Sequence, residues 1–231
     1  MEKAVSIIIP VKDEEKNLEL LLQGIVHIIP DTWNYEIFVI DHNSIDTTPL
    51  ILEKQQRIIP QLKILRIRNP KIKLGSAFQL AFRKTQYPFI ITMDGDLSHP
   101  VSFLPRFLIG FEHKHDFIIG GRYNVHQPRF DPITRYYISR LFNYIPRIFT
   151  KNLVSDFTSG YRGFQSDLVQ NHVFISTDFS FHLELNLFLT LNSKTPTEIP
   201  IVYVKRKHGK SKLKYFQQFA GYFKAIFYGM N

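Results

Sequence analysis

Five short apolar runs, at residues 5–9, 36–40, 63–67, 89–93 and 117–119, are bounded by turn residues and read as strands. Between them, apolar residues recur at helical spacing. Leu18, Leu21, Leu22 and Ile25 mark one face, Ala77, Phe78, Ala81 and Phe82 a second, and Phe103, Leu104, Phe107, Leu108 and Phe111 a third. Strands that alternate with helices imply an α/β fold: a mostly parallel sheet flanked by helices on both sides. The 231 residues suit one such domain, and 44% hydrophobic content is enough for a sizeable core. No internal repeat and no long Gly/Ser linker divides it. The expected organisation is a single domain over 1–231, in two halves at 1–123 and 124–231.

Open sheets of this kind bind ligands beyond the carboxyl ends of their strands. Those ends are acidic here. Strand one runs into Pro10-Val11-Lys12-Asp13-Glu14-Glu15, strand two into Asp41-His42-Asn43-Ser44-Ile45-Asp46, and strand four into Asp94-Gly95-Asp96. Burying an unpaired carboxylate is costly, so two of them at a strand end call for a cation or for water. Mg²⁺ or Mn²⁺ bridging a nucleotide pyrophosphate is one economical explanation, since hard oxygen ligands suit both ions. An Asp-Gly turn whose side chains only cap the backbone is the other. Taken alone, Asp94-Gly95-Asp96 favours the turn; three acidic ends on one rim favour the metal and nucleotide. The chain has no G-x-G-x-x-G opening a helix and no G-x-x-x-x-G-K-[ST], so dinucleotide-binding and P-loop chemistry lack support.

There is no cysteine, which removes disulfides, thiolate metal sites and cysteine nucleophiles and fits a reducing compartment. The apolar runs fall short of the ~20 residues that span a bilayer. The run at 5–9 is too short for a signal peptide, so the expected location is cytoplasmic. Formal net charge is +9. The basic residues concentrate in two segments: Arg122, Arg129, Arg135, Arg140, Arg147 and Lys151, then Lys205, Arg206, Lys207, Lys210, Lys212 and Lys214. Nucleic acid, an anionic membrane surface, a phosphate-bearing substrate or plain solvent can each face such a segment. Residues 128–151 mix arginine with Phe130, Tyr136, Tyr137, Leu141, Phe142 and Phe149, a composition shared by interfacial helices and by packed helices with snorkelling arginines. Further on, residues 156–162 read as a polar turn, 181–191 as a buried helix carrying one acid, Glu184, 199–204 as a strand, and 215–228 as a terminal amphipathic helix.

At this point the residues match a family. Ile8-Ile9-Pro10 with Glu14, the block from Asp41 to Thr48, Asp94-Gly95-Asp96 with Leu97-Ser98-His99-Pro100, Gly120-Gly121-Arg122-Tyr123, the block from Asp156 to Arg162, and Arg206-x-x-Gly209-x-Ser211-Lys212-Leu213 recur in order. Together they resemble the family-two glycosyltransferases of GT-A fold, a Rossmann-like architecture, and within them the polyprenyl-phosphate (dolichyl-phosphate) mannose synthases. The resemblance implies roles. Pro10, Glu14 and Asp41 would line the pocket for base and ribose, with His42 beside them. Asp94 and Asp96 would hold the divalent metal, Mg²⁺ or Mn²⁺, on the donor pyrophosphate. Arg122 and Arg206 would reach phosphates and serve catalysis with Asp96. Arg135 and Ser139 sit where the branch binds the lipid phosphate, and Arg122, Glu184 and Lys212 would complete the acceptor side. His42 stands where the family has a second aspartate, and Ser98 where some relatives have a glutamine near the metal.

The activity so implied is inverting transfer of a hexose, foremost mannose from GDP-mannose, to polyprenyl or dolichyl phosphate. A UDP-sugar donor (glucose or an N-acetylhexosamine) or a different acceptor is the alternative. The implied partners are a nucleotide sugar, the lipid phosphate and an anionic membrane surface, with room for a separate membrane anchor subunit. The chain would sit peripherally on the cytoplasmic face. An inactive subunit and a basic nucleic-acid-binding module are rivals from other classes. Nucleic acid is not expected, because acidic strand ends repel phosphates unless a metal fills them.

Overall fold

The computed structural model describes residues 2–123, 133–151, 153–204 and 215–230, with side chains for all but 133–138 and 215–219. The first half alternates as the spacing predicts: β1 (Ala4–Val11), α1 (Leu18–Ile28), β2 (Asn34–Asp41), α2 (Thr48–Ile58), β3 (Leu62–Arg66), α3 (Leu74–Phe82), β4 (Phe89–Thr92), α4 (Leu104–Glu112) and β5 (Phe117–Gly121). The second half adds α5 (Ile133–Phe149), β6 (Arg162–Gln165), the short α6 (Asp167–Gln170), α7 (Phe181–Asn192), β7 (Pro196–Pro200) and α8 (Tyr215–Gly229).

The strands form one sheet in the order β3-β2-β1-β4-β6-β5-β7. All pairings are parallel except those of β6, which runs antiparallel to both β4 and β5. The chain steps from β1 outward to β2 and β3, then returns to the other side of β1 with β4. That reversal opens a crevice beyond the carboxyl ends of β1 and β4, where an open α/β sheet binds its ligand.

Alternation along the strands builds two cores. Val5, Ile7, Ile9 and Val11 of β1, Ile37 and Val39 of β2, and Phe89 and Ile91 of β4 face α1 and α4, meeting Leu21, Leu22, Ile25, Phe107 and Phe111. The intervening residues Ile8, Phe38, Ile40 and Ile90 face α3, α7 and α8, meeting Phe78, Phe82, Phe181, Leu185 and Ile226. Each fully buried Leu, Ile or Phe contributes roughly 1.5–3 kcal/mol, so the two clusters fix the sheet between helices and leave its rim for chemistry.

One element departs from the expectation of a strand over 199–204. The terminal strand is β7 at Pro196–Pro200, and residues 201–204 leave the ladder. Ile201 N–H still donates to the Gly121 carbonyl at 3.0 Å, and Val204 N–H turns away to the carbonyl of Ser98 at 3.1 Å. β6 continues directly from the turn read at 156–162. Residues 128–151, whose composition suits one or two amphipathic helices, contain one described helix, α5.

Candidate active site

Each acidic strand end is a tight turn with one residue in the left-handed region: Asp13 (φ 54°), Asn43 (φ 56°) and Leu97 (φ 63°). Such conformations are uncommon outside glycine and gather at functional sites. The first two turns are laced together. Asp13 N–H donates to Ser44 Oγ (3.0 Å), Ile45 N–H to Asp13 Oδ1 (2.8 Å), Glu14 N–H to Thr48 Oγ1 (2.9 Å) and Thr47 N–H to Glu15 Oε2 (3.1 Å). Beside them a cleft of about 200 Å³ is lined by Asp41, Asn43, Ser44, Pro49, Arg66, Ile67 and Arg68. Asp41 is buried and its Oδ1 accepts from Ser44 N–H at 3.1 Å. His42 Nε2 lies 2.7 Å from the Ile72 carbonyl. A carbonyl can only accept, so Nε2 carries the proton and Nδ1 presents a lone pair.

The third end packs against the first through glycine. A Cβ on Gly95 would meet Val11 Cγ1 at 2.7 Å and the Pro10 carbonyl at 3.0 Å, so only glycine lets the Asp-Gly-Asp turn sit this close to β1. The two carboxylates then differ. Asp94 keeps 38% of its side chain exposed, whereas Asp96 is buried. Asp96 Oδ1 accepts from both the backbone N–H and the hydroxyl of Ser98, at 3.0 and 2.5 Å. His99 backs the turn. Its Nδ1 accepts from Asp94 N–H at 3.0 Å, which places the proton on Nε2, 3.7 Å from Asp94 Oδ2. The ring is buried and stacks on Tyr161 at 5.0 Å; burial, opposed by Asp94 and Asp96, lowers its pKa below 6.5.

The far wall comes from β5 and β6. Arg122 makes a two-pronged pair with fully buried Asp156, Nε to Oδ2 at 2.6 Å and Nη2 to Oδ1 at 2.8 Å, and reaches Thr158 Oγ1 at 2.9 Å. Burial works against its charge, but Asp156 outweighs burial and holds the guanidinium pKa well above the ordinary value. Ser139 of α5 joins the same wall: its hydroxyl lies 2.5 Å from Tyr123 Oη and 3.3 Å from Thr158 Oγ1, with Asn143 Nδ2 bonded to its carbonyl at 2.8 Å. Gly160 closes the gap to the carboxylates, since a Cβ there would come within 3.0 Å of Asp94 Oδ1. The arrangement is a rim of carboxylates facing a wall of fixed cations and hydroxyls, suited to a polyanion and a divalent ion together.

Residues 6–173 match the sequence model of the family described as glycosyl transferase family 2. The chain belongs to that family. Among curated relatives, the dolichol-phosphate mannosyltransferase of Pyrococcus furiosus is 31% identical over 91% of this chain, and the polyprenol monophosphomannose synthase of Mycolicibacterium smegmatis 27% identical over 90%. The chain spans 59% of the length of the first and 80% of the second. Among solved structures, glucosyl-3-phosphoglycerate synthase from Mycobacterium tuberculosis, crystallised with Mn²⁺, UDP-glucose and phosphoglyceric acid, superimposes with a TM-score of 0.71 at 14% identity over 97% of this chain and 80% of that one. S. aureus TarS with UDP gives 0.67 at 16% identity, over 100% and 65%. These two neighbours share the fold.

Against this family-2 framework, the structure brings Pro10, Glu14, Asp41, His42, Asp94, Asp96, Arg122 and Ser139 onto one rim. Glu14 and Arg122 are each held by a neighbouring side chain that the sequence blocks also contain or adjoin. The Glu14 carboxylate accepts from Asn17 Nδ2 at 2.7 Å, and Arg122 is clasped by Asp156. Glu184 is turned into the protein: its two oxygens accept the N–H groups of Ile175 and Ser176 at 2.8 and 2.6 Å, tying down the loop before α7. Arg135 falls on α5, its side chain outside the described residues, and so do Arg206 and Lys212 altogether. Sequence reasoning assigned no role to His99, Asp156, Arg162 or His182. The first three lie inside motifs it quoted, so a polar residue inside an ordered block was the available signal. His182 had a weaker one, as a lone imidazole two positions before Glu184 on an apolar helix.

Proposed function

We propose that this family-2 chain is a metal-dependent inverting hexosyltransferase that moves a sugar from a nucleotide donor to polyprenyl phosphate, foremost mannose from GDP-mannose. The observation that carries the reading is the pairing of Asp94 and Asp96, at the crevice between β1 and β4, with the Arg122 wall opposite. The mannosyl and polyprenyl names of the two curated relatives support the substrate pair.

The residues fit a divalent ion of the Mg²⁺ or Mn²⁺ kind. Among the described residues no cluster of three or more acidic or histidine side chains forms a closed metal cage. Two carboxylates at an open rim are instead what an ion shared with a diphosphate needs, the substrate and water completing its shell. Asp94 and Asp96 would hold it, and when bound it offsets charge on the departing diphosphate. The chain's own residues supply the rest. Ser98 and His99 fix the two carboxylates, and Arg122 is held as a permanent cation at the acceptor side, where Ser139 adds a hydroxyl. An acceptor phosphate has a second pKa of roughly 6 and is ionised near neutral pH. It therefore needs no general base, and neither His99 nor any Ser-His-Asp set is asked to act as one. Attack on the face opposite the diphosphate inverts the anomeric centre.

A second donor has one observation in its favour. His42, donating to Ile72, has a single acceptor left for a base N–H. Guanine presents a paired N1–H and N2–H₂ that a carboxylate satisfies twice, whereas uracil presents one imino N–H. A UDP-hexose is the donor this side chain favours. The deciding experiment is a turnover screen of GDP-mannose, UDP-glucose and UDP-N-acetylglucosamine against a polyprenyl phosphate, with Mn²⁺ or Mg²⁺ and with chelator. Transfer from one donor, lost on chelation, is expected; no transfer from any, under conditions where nucleoside diphosphate binds, would make the chain an inactive subunit.

A further inference from the structure

Arg162 opens β6 and is fully buried, yet every acceptor around its guanidinium is neutral. Nη1 donates to the carbonyls of Ser159 and His182 (3.4 and 3.3 Å) and to Asn186 Oδ1 (2.9 Å), Nη2 faces His182 Nδ1 at 2.9 Å, and Nε has no partner among the described residues. Burial lowers its pKa to about 9, with Asp94 as the opposing charge, so it stays a cation at neutral pH. A guanidinium has donors and no acceptor. His182 Nδ1 must therefore accept, and its proton sits on Nε2. A flipped ring would turn Cδ2–H toward the guanidinium and lose this hydrogen bond, so the orientation is fixed. Phe78 crosses the ring edge-on at 5.7 Å.

The consequence is a histidine with no acid–base freedom. Both nitrogens are committed, Nδ1 as acceptor and Nε2 as donor, and burial together with Arg162, His99 and Arg122 holds the pKa well below 6.5. What remains is one fixed donor. Nε2–H has no acceptor among the described residues, and the side chain is only partly buried. Nδ1 is anchored on the buried arginine, so the Nε2 edge is directed away from it. Its place in the fold is the reacting zone. The arginine it binds is two residues from Gly160, where an added Cβ would come 3.0 Å from Asp94 Oδ1 and 3.5 Å from His99 Cε1, and the charges of Asp94 and Arg122 act on Arg162 and His182 respectively.

We propose that His182 is a specificity-determining residue whose Nε2–H donates a hydrogen bond to a hydroxyl of the transferred hexose. This rests on the nucleotide-sugar reading above and adds which part of the donor the residue touches. A donor to the diphosphate would favour a charged side chain and would serve every nucleotide alike. A neutral, single, orientation-locked N–H suits an uncharged hydroxyl and discriminates between sugars that differ there.

The test compares wild type, His182→Gln and His182→Phe by calorimetry with Mn²⁺, using GDP-mannose and UDP-glucose against GDP and UDP. Phenylalanine keeps the ring in its aromatic surroundings and removes the donor; glutamine keeps an N–H. His182→Phe is expected to weaken nucleotide-sugar binding roughly three- to tenfold, the effect of one neutral hydrogen bond, and to leave nucleoside diphosphate binding unchanged. His182→Gln should recover most of the loss. Equal weakening of sugar-bearing and sugar-free nucleotides would overturn the assignment, as would no weakening of either. Failure of the wild-type protein to bind GDP or UDP at all would instead overturn the nucleotide-sugar reading beneath it. A thermal melt of each variant separates these outcomes from misfolding.

Discussion

At the scale of single residues, Asp94 and Asp96 are two carboxylates with different duties. Asp96 is buried and held by Ser98, so its position is fixed before any ligand arrives; Asp94 is the exposed partner that His99 steadies from behind. Removing either should strike metal-dependent binding more than the fold. Asp96→Ala and Asp94→Ala are each expected to abolish the difference between nucleoside diphosphate affinity with and without Mn²⁺, and to lower turnover by about 10²–10³, the size of effect seen when one electrostatic group of a reacting centre is lost. Calorimetry with GDP and UDP reads the first and initial rates the second. Identical affinities with and without Mn²⁺ in the wild-type protein would sink the metal assignment. Gly95 makes the pair possible, since any side chain there would collide with Val11 and with the Pro10 carbonyl.

At the scale of elements, the loop between α6 and α7 shows how a residue expected at the acceptor side serves the scaffold instead. Glu184 spends both oxygens on the N–H groups of Ile175 and Ser176, while Gln79 of α3 exchanges two hydrogen bonds with Phe174 and Gly75 N–H meets the Thr177 carbonyl. Glu184→Gln turns one acceptor into a donor that faces an N–H. It should cost about 1–3 kcal/mol, the desolvation of a buried donor left without its acceptor, seen as a lower urea midpoint with an unchanged slope; an unshifted midpoint would return Glu184 to a functional role. The parallel part of the sheet was legible because 5–9, 36–40 and 89–93 are apolar on both faces, as strands covered on both sides must be. β6 was not legible. It has four residues, Arg-Gly-Phe-Gln, its first side chain is charged, and its glycine exists because a Cβ would meet Phe111 at 2.7 Å. Only the tertiary slot between β4 and β5 makes it a strand. The acidic rim was legible for a related reason: carboxylates at the ends of apolar runs stand out, and the blocks around them are ordered. The Arg162–His182 contact was not, because it joins residues twenty apart through a geometry that no spacing encodes.

At the scale of the whole molecule, the partly buried His182 predicts a pH response and the α5–α8 face predicts a membrane contact. His182 has its pKa lowered by burial first and by Arg162 next. The unfolded chain, with an ordinary value near 6.5, takes up a proton that the folded chain refuses. Stability is therefore full above about pH 6.5 and falls as pH drops below it, by up to about 1.4 kcal/mol per pH unit for this one group. Urea unfolding at pH 7.5 and 5.5 should show the decline, and His182→Gln should make it shallower, leaving the share that buried His99 contributes; an equally steep decline in both proteins would remove His182 as a cause. Among the described residues no helix is long and apolar enough to cross a membrane. Yet α5 shows Leu141, Tyr144 and Ile148 to solvent at 45, 64 and 61%, along one stripe at i, i+3 and i+7, and α8 shows Phe223 and Phe227 at 48 and 63%. The two helices meet where Phe142 packs on Tyr222 at 4.7 Å and on Phe223 at 5.4 Å. Neither carries an acidic residue, while Arg140, Arg147 and Lys224 do carry positive charge. An apolar stripe on helices whose own charges are all basic suits the boundary of an anionic bilayer, each basic residue near such a surface adding about 1 kcal/mol and each immersed ring adding more. Liposome co-sedimentation should show binding to anionic vesicles that weakens with salt without vanishing, because screening acts on charge and not on apolar contact. Leu141→Ser with Ile148→Ser should leave low-salt binding partly intact and make it fully salt-releasable. Full release of the unmodified protein by moderate salt would show that these side chains do not enter the bilayer, and no sedimentation even at low salt would show that this face is turned to another partner.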